Sequence, residues 1–140
     1  MISIQKGEDL ITITLQNILS YRKDDEDFIN LVLNWNKTVL IEVDGFYPVE
    51  VIFDRNEIKF KTKDFDKKIN LKVKMDIYTF LDLAFGRLNP VKAFLKHKLK
   101  IKGLLKIGTM LKFMKIFLET MKMVASDPNN NYFELNKETR

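Results

Sequence analysis

The chain has 140 residues, 46% of them hydrophobic and 31% charged, with a formal net charge of +5. That is the length of one domain, enough to bury a core without metal or disulfide staples. It contains no Cys, which excludes a disulfide framework, a thiol nucleophile and a Cys-bound zinc, and no apolar run approaches the ~18 residues of a membrane-spanning helix.

The charge is unevenly spread. Residues 1–85 carry 12 basic and 15 acidic side chains, residues 86–125 carry 10 basic ones and a single acid, Glu119, and residues 126–140 carry 2 and 3. A basic field of this size favours phosphate groups, anionic membranes or nucleic acid. The start, Met1-Ile2-Ser3-Ile4-Gln5-Lys6, lacks the pattern of a secretory signal. The end, Glu138-Thr139-Arg140, carries no retrieval address. The expected compartment is the cytoplasm.

Leu10, Ile11, Leu15, Ile18 and Leu19 recur at helical spacing and predict a helix over 8–22. The alternation from Ile11 to Leu15 argues for a strand instead. Four acids, Asp24 to Asp27, suit a helix N-terminus, where the dipole favours negative charge. Phe28, Leu31, Val32 and Trp35 follow at i, i+3, i+4, i+7 and predict an amphipathic helix over 25–36. From Thr38 the period switches to two. Val39, Ile41 and Val43 alternate with Leu40 and Glu42, and Val49, Val51 and Phe53 follow with Glu50 on the other side; then Ile58 and Phe60, and Ile69, Leu71, Val73 and Met75, alternate with polar residues, most of them lysines. Asp44-Gly45, Asp54-Arg55-Asn56 and Asp64 to Lys67 separate them as turns. Four strands over 38–75 with one apolar face predict a largely antiparallel sheet, covered on one side and wet on the other. Its lysine-rich face lacks the interleaved aromatics of a nucleic-acid stacking platform, so nucleic acid is not expected as a partner.

Asp76 is the expected N-cap of a helix over 76–87 whose apolar side includes Ile77, Phe80, Leu81, Leu83 and Ala84. Pro90 stops it and opens a short helix over 90–97. Leu99 and Ile101 alternate with Lys98, Lys100 and Lys102 as a fifth strand over 98–102. Residues 104–125 predict a last helix about 33 Å long. Fourteen of its 22 residues are apolar. A helix lying on a sheet needs an apolar stripe of roughly 100°. Here the polar residues Lys112, Lys115, Glu119 and Lys122 crowd into about 80° and leave the rest apolar. The excess must face another helix, a partner, a membrane or an apolar ligand. Residues 127–140 read as a tail beyond a single domain spanning 1–126.

The chemistry of catalysis is missing. His97 is the sole histidine, and none of Ser3, Ser20 and Ser126 sits in a nucleophile-elbow context. No P-loop or dinucleotide fingerprint occurs, and one His with no Cys offers no metal set. The reading is a non-enzyme with no cofactor and no metal.

One ordered set of motifs spans Met75-Asp76, Gly86-Arg87-Leu88-Asn89-Pro90, Ala93-Phe94 and Lys98-Leu99-Lys100-Ile101-Lys102-Gly103. In this the chain resembles the sterol carrier protein-2 domain family. It departs from the family pattern at His97, where a Gly is usual, and at Leu104-Leu105, where small and polar residues are usual. The resemblance implies an α+β fold, with a five-stranded, mostly antiparallel sheet of order 3-2-1-4-5 and helices on one face. It implies an apolar tunnel under the C-terminal helix that holds a fatty acyl, acyl-CoA, sterol or isoprenoid tail. On that reading the tail is held by Trp35, Phe80, Leu83, Ala84, Phe94, Leu99, Ile101, Leu104, Met110, Leu111, Met114, Phe117 and Met121. Lys92, Lys96, Lys98, Lys100, Lys102 and Lys106 face a headgroup or an anionic membrane surface, each contributing about 1 kcal/mol near such a surface. A tail of a dozen carbons supplies roughly 10 kcal/mol before ordering costs. The competing readings are an interaction module, including a homodimer, and an accessory subunit that presents a lipid substrate to an enzyme.

Overall fold

The structure is a computed structural model describing residues 2–65, 68–85, 87–88, 90–103 and 107–126. The order is β1 (Ser3–Ile4), α1 (Leu10–Ser20), α2 (Glu26–Val32), β2 (Lys37–Val43), β3 (Val49–Asp54), β4 (Glu57–Lys61), β5 (Leu71–Met75), α3 (Ile77–Ala84), α4 (Pro90–Leu95) and β6 (Lys100–Gly103). A C-terminal helix follows, made of α5 (Ile107–Phe113), a π-helical segment (Met114–Leu118) and α6 (Glu119–Ser126).

Among the described residues the sheet is mixed and has six strands in the order β1-β4-β3-β2-β5-β6, which corrects the expected five. The expected order survives inside it, with β1 added at one edge, parallel to β4. Two residues leave too short a pattern to announce a strand. What holds β1 is its register, Ser3 opposite Glu57 and Ile4 opposite Ile58, and the side-chain oxygen of Gln5, which accepts from the Phe60 amide at 2.8 Å. The β2–β5 pairing is also parallel. Arg55 and Asn56, at φ 50° and 67°, form the two-residue turn between β3 and β4, the left-handed pair whose twist suits a tight hairpin.

Register puts the apolar alternation on one face. Val39 lies opposite Val51 and Leu71, Ile41 opposite Val49 and Val73, and Phe53 opposite Ile58. All of these are buried in a single core with Leu15, Phe28, Phe80 and Phe117. Phe53 is where the sheet meets the C-terminal helix. Its ring packs edge-on against Trp35 at 4.9 Å and Phe117 at 6.0 Å between centroids, a geometry worth about 0.5–1.5 kcal/mol per pair beyond area burial. The outer face is less wet than expected. Thr38, Leu40 and Glu50 are buried there. Glu50 lies between Leu40 and Lys61 in cross-strand register.

Several bounds are tighter than the sequence suggests. Residues 10–20 are helix, so the strand alternative from Ile11 to Leu15 fails. Asp9 caps it in a reciprocal box with Thr12, which starts the helix despite the two β-branched threonines. Asp25 caps α2, and α2 ends at Val32, so Trp35 lies in the loop after it and is still buried. Asp76 caps α3 through the Thr79 amide at 2.7 Å, as predicted. The tail at 127–140 and Gly86 lie outside the described residues. No helix among the described residues is long and apolar enough to cross a membrane.

The Asp9 cap makes a pH prediction. Partial burial raises the Asp9 pKa, but hydrogen bonds from the Tyr47 hydroxyl, Thr12 and the Ile11 amide outweigh it and hold the carboxyl below its usual range. A depressed carboxyl contributes stability that is present above its unfolded pKa and lost as pH falls through its folded one. The stability difference between wild type and Asp9→Asn should therefore be constant above about pH 5 and shrink toward pH 2 in urea titrations. Tyr47, raised to about 12 by burial and by Asp9, has the opposite sense. Its contribution is present below the ordinary tyrosine pKa and fades as pH passes the raised value.

Candidate functional site

The C-terminal helix is α–π–α and not the uninterrupted α-helix expected. In the π segment the Glu119 amide donates to the Met114 carbonyl, five residues back. Such a segment inserts about one residue, so every later side chain is turned by roughly 100° relative to a straight α-helix. A wheel drawn at a constant angle fails beyond Met114. Lys115, Glu119 and Lys122 do face solvent, while Lys112 is half-buried. Part of the apolar excess remains at the surface. Leu111 is 52% and Met123 41% exposed, and Met110, Met114 and Val124 are half-buried.

Arg22 stabilises this irregular segment. Its side chain is 4% exposed and its Nε donates to Asp25 Oδ2 at 3.2 Å. Nη1 donates to the Lys115 carbonyl at 3.2 Å and to Thr120 Oγ1 at 3.4 Å. The Thr120 hydroxyl in turn donates to the Ile116 carbonyl. The guanidinium also lies over the Phe28 ring, 5.6 Å from its centroid. Arg22 thus ties the end of α1 to the carbonyls where the helix leaves α geometry. Nothing in the sequence distinguished Arg22 from a solvated cation.

A cavity of about 290 Å³ opens between α1, α3 and α6, lined by Thr14, Asn17, Ile18, Tyr21, Ala84, Phe85 and Val124. A second, of about 570 Å³, is lined by Tyr21, Glu119, Lys122, Met123 and Ser126. Tyr21 walls both. Of the lipid-contact residues expected from sequence, Ala84 lines the first cavity. Trp35, Phe80, Leu83, Leu99, Phe117 and Met121 are buried in the core, with Ile101 and Met114 packed against it. Met110 is half-buried and Leu111 is exposed. The Phe94 side chain, Leu104 and Lys106 lie outside what is described. Lys92, Lys96, Lys98, Lys100 and Lys102 are all exposed. Ile18 was part of the predicted stripe, but the other lining residues near α1, Thr14, Asn17 and Tyr21, went unnoticed because only one stripe was read. A second stripe was present in Ile13, Asn17 and Tyr21, with Ile13 and Tyr21 left exposed.

His97 sits in the turn between α4 and β6 at φ 59°. That left-handed conformation suits glycine and strains side chains branched at Cβ, which gives a backbone reason for the Gly usual at this point in the resembling family. His97→Val should lower stability by about 1–2 kcal/mol, whereas His97→Gly should change it by less than about 0.5 kcal/mol. Chemical denaturation of the two variants checks this.

The comparisons with known proteins follow the same lines. The model of the SCP-2 sterol transfer family matches residues 15–118. Among solved structures, sterol carrier protein domain 2 of Helicoverpa armigera is 22% identical, with a TM-score of 0.59, covering 85% of this chain and 94% of that one. A crystal structure of sterol carrier protein 2 is 15% identical with a TM-score of 0.58, covering 80% and 93%. A UbiJ-SCP2 ubiquinone synthesis protein is 15% identical with a TM-score of 0.58, covering 89% and 98%. At these identities the structural likeness shows the fold. Among curated protein sequences none matches.

Proposed function

The chain belongs to the SCP-2 sterol transfer family, and on that premise we propose that it is a non-catalytic carrier holding one apolar tail beneath its C-terminal helix. The observation that supports this is the opening of about 290 Å³ between α1, α3 and α6. Its size falls just under the ~300–1,000 Å³ usual for small-molecule sites, which favours a segment of unbranched chain over a fused ring system. Phe80, Leu83, Ala84 and Met121 stand on the elements that bound this opening, with Phe117, Met114, Met110, Leu111 and Ile101 as further contacts for a longer tail. Trp35, Phe94, Leu99 and Leu104 complete the proposed lining. Methionines adapt to different tails because the thioether chain is flexible. π segments recur at functional sites, and one in the helix above the opening suits a lid that yields. The basic side chains Lys92, Lys96, Lys98, Lys100, Lys102 and Lys106 would meet the headgroup or an anionic bilayer, and the carrier would work in the cytoplasm.

The test is native mass spectrometry with lipid extraction, backed by displacement of a fluorescent fatty acid. Ala84→Phe should place a ring in the opening and weaken fatty-acid binding at least about tenfold, the equivalent of two displaced methylenes at about 0.8 kcal/mol each, while thermal unfolding stays cooperative. Absence of co-purified lipid, together with no displaceable probe, would sink the carrier reading.

A second reading has its own support. The fold matches a ubiquinone synthesis protein over almost its whole length, which favours an accessory subunit presenting an isoprenoid substrate to an enzyme. Exposed Leu111 and Leu95, 52% and 67% accessible, suit a protein partner or a second copy. A mass that rises with concentration in sedimentation would support the interaction reading.

A further inference from the structure

We infer that a third cavity, at the opposite end of α3 from the apolar opening, is a site for a phosphate or phosphate-ester group. It has a volume of about 280 Å³ and is walled by Asp44, Lys74, Asp76, His97, Lys98 and Lys100. Three elements meet there: the end of β2, the junction of β5 with α3, and the turn from α4 into β6.

Charge carries the argument. Cross-strand register sets Lys74 directly opposite Lys100, and like charges directly opposite destabilise a sheet unless both are offset. The two carboxylates of the cavity are already engaged. Asp76 accepts from the Thr79 amide at 2.7 Å as the cap of α3. Asp44 pairs with Lys74 at 3.8 Å. Lys98 and Lys100 form no ion pair among the described residues. His97 brings an imidazole to the same wall from a left-handed turn at φ 59°, and such outliers cluster at ligand sites. Lysine and imidazole donors arriving from two strands and a turn suit a group that accepts on several oxygens, as phosphate does. The cavity also leaves room for what the phosphate is attached to.

The site rests on the carrier reading only for the source of its phosphate. α3 has eight residues, so its ends lie about 12 Å apart, a distance that one lipid with a phosphate head and an acyl tail would span. A free phosphate would use this cavity alone.

The experiment is a ¹H–¹⁵N NMR titration of the full chain with millimolar inorganic phosphate, against sodium chloride at matched ionic strength. Saturable shifts at His97, Lys98 and Lys100 that chloride does not reproduce are expected. Lys98→Gln and Lys100→Gln should each weaken phosphate binding about fivefold, and the pair about 25-fold. His97→Gly, which keeps the backbone conformation, should weaken it as well. Parallel titrations with oleoyl lysophosphatidic acid and oleic acid identify the source. Tighter binding of the lysophosphatidic acid, with competition by inorganic phosphate, assigns the site to a lipid head. Equal binding of the two lipids alongside saturable phosphate binding assigns it to free phosphate. Shifts that chloride reproduces, or that Lys98→Gln and Lys100→Gln leave unchanged, overturn the proposal even when oleic acid binds. Phosphate binding without oleic acid binding would retain the site and remove the acyl-chain reading.

Discussion

Arg22→Ala is expected to lower stability by about 3 kcal/mol and to loosen the C-terminal helix before the rest of the fold. The guanidinium is buried and serves Asp25, the Lys115 carbonyl and Thr120 together. Hydrogen bonds from a charged donor contribute about 1.5–3 kcal/mol when the acceptor would otherwise be stranded. The contact with the Phe28 ring adds about 0.5–1 kcal/mol. Relief from burying a charge offsets part of this, and the 37% exposure of Asp25 weakens its own share through solvent screening. For a chain of this size the net loss corresponds to a fall in Tm of roughly 10 °C. Arg22→Lys keeps the charge but has no planar fork to reach Asp25 and the Lys115 carbonyl together, so it should lose about half as much. Hydrogen exchange localises the effect. Amides of 107–126 should lose protection while β2, β3 and β5 keep theirs. Uniform loss across the sheet would show that Arg22 is a general packing residue and not a tie for the helix.

Gly7→Ala is expected to cost about 3 kcal/mol or more, the upper end for overpacking, although only one methyl group is added. A Cβ at Gly7 would lie 2.4 Å from the Ile13 nitrogen, 2.5 Å from the Thr12 carbonyl carbon and 2.6 Å from the Ile13 Cα. These are backbone atoms in the first turn of α1, and no rotamer change moves them aside. The Gly7 amide also donates to Gln16 Oε1 at 2.8 Å, so retreat of the chain would break that bond as well. Urea unfolding should show a lower midpoint with an unchanged slope. A variant as stable as wild type would mean that β1 and α1 shift apart freely.

Legibility varied along the chain for physical reasons. The strands were plain because a period of two is strong wherever one face is buried, as in Val39, Ile41 and Val43. The acid run Asp24 to Asp27 and Asp76 announced their helices, since carboxylates before an apolar stripe have few other local uses. Residues 10–20 were ambiguous because Ile11 and Leu15 fit both periods while Ile13 completes an alternation, and a cap formed by Asp9 with Thr12 decided for the helix. β1 escaped notice because its strand pairing is with β4, a partner more than fifty positions away. The apolar excess of the last helix was legible. Its division between core and surface was not, because a π segment turns the helix partway along and no propensity signals it.

The sequence by itself determined the order of the elements, the core face of the sheet, the concentration of positive charge after residue 85 and, through the motifs from Asp76 to Gly103, the family. Each is written in local spacing or in composition. Tertiary structure decided the sixth strand, the burial of Arg22 and Glu50, the left-handed turn at His97 and the position of the openings at the two ends of α3. Those depend on which distant backbone groups arrive beside a side chain. A lysine, an arginine or a histidine carries the same letters whether it is solvated or walled in.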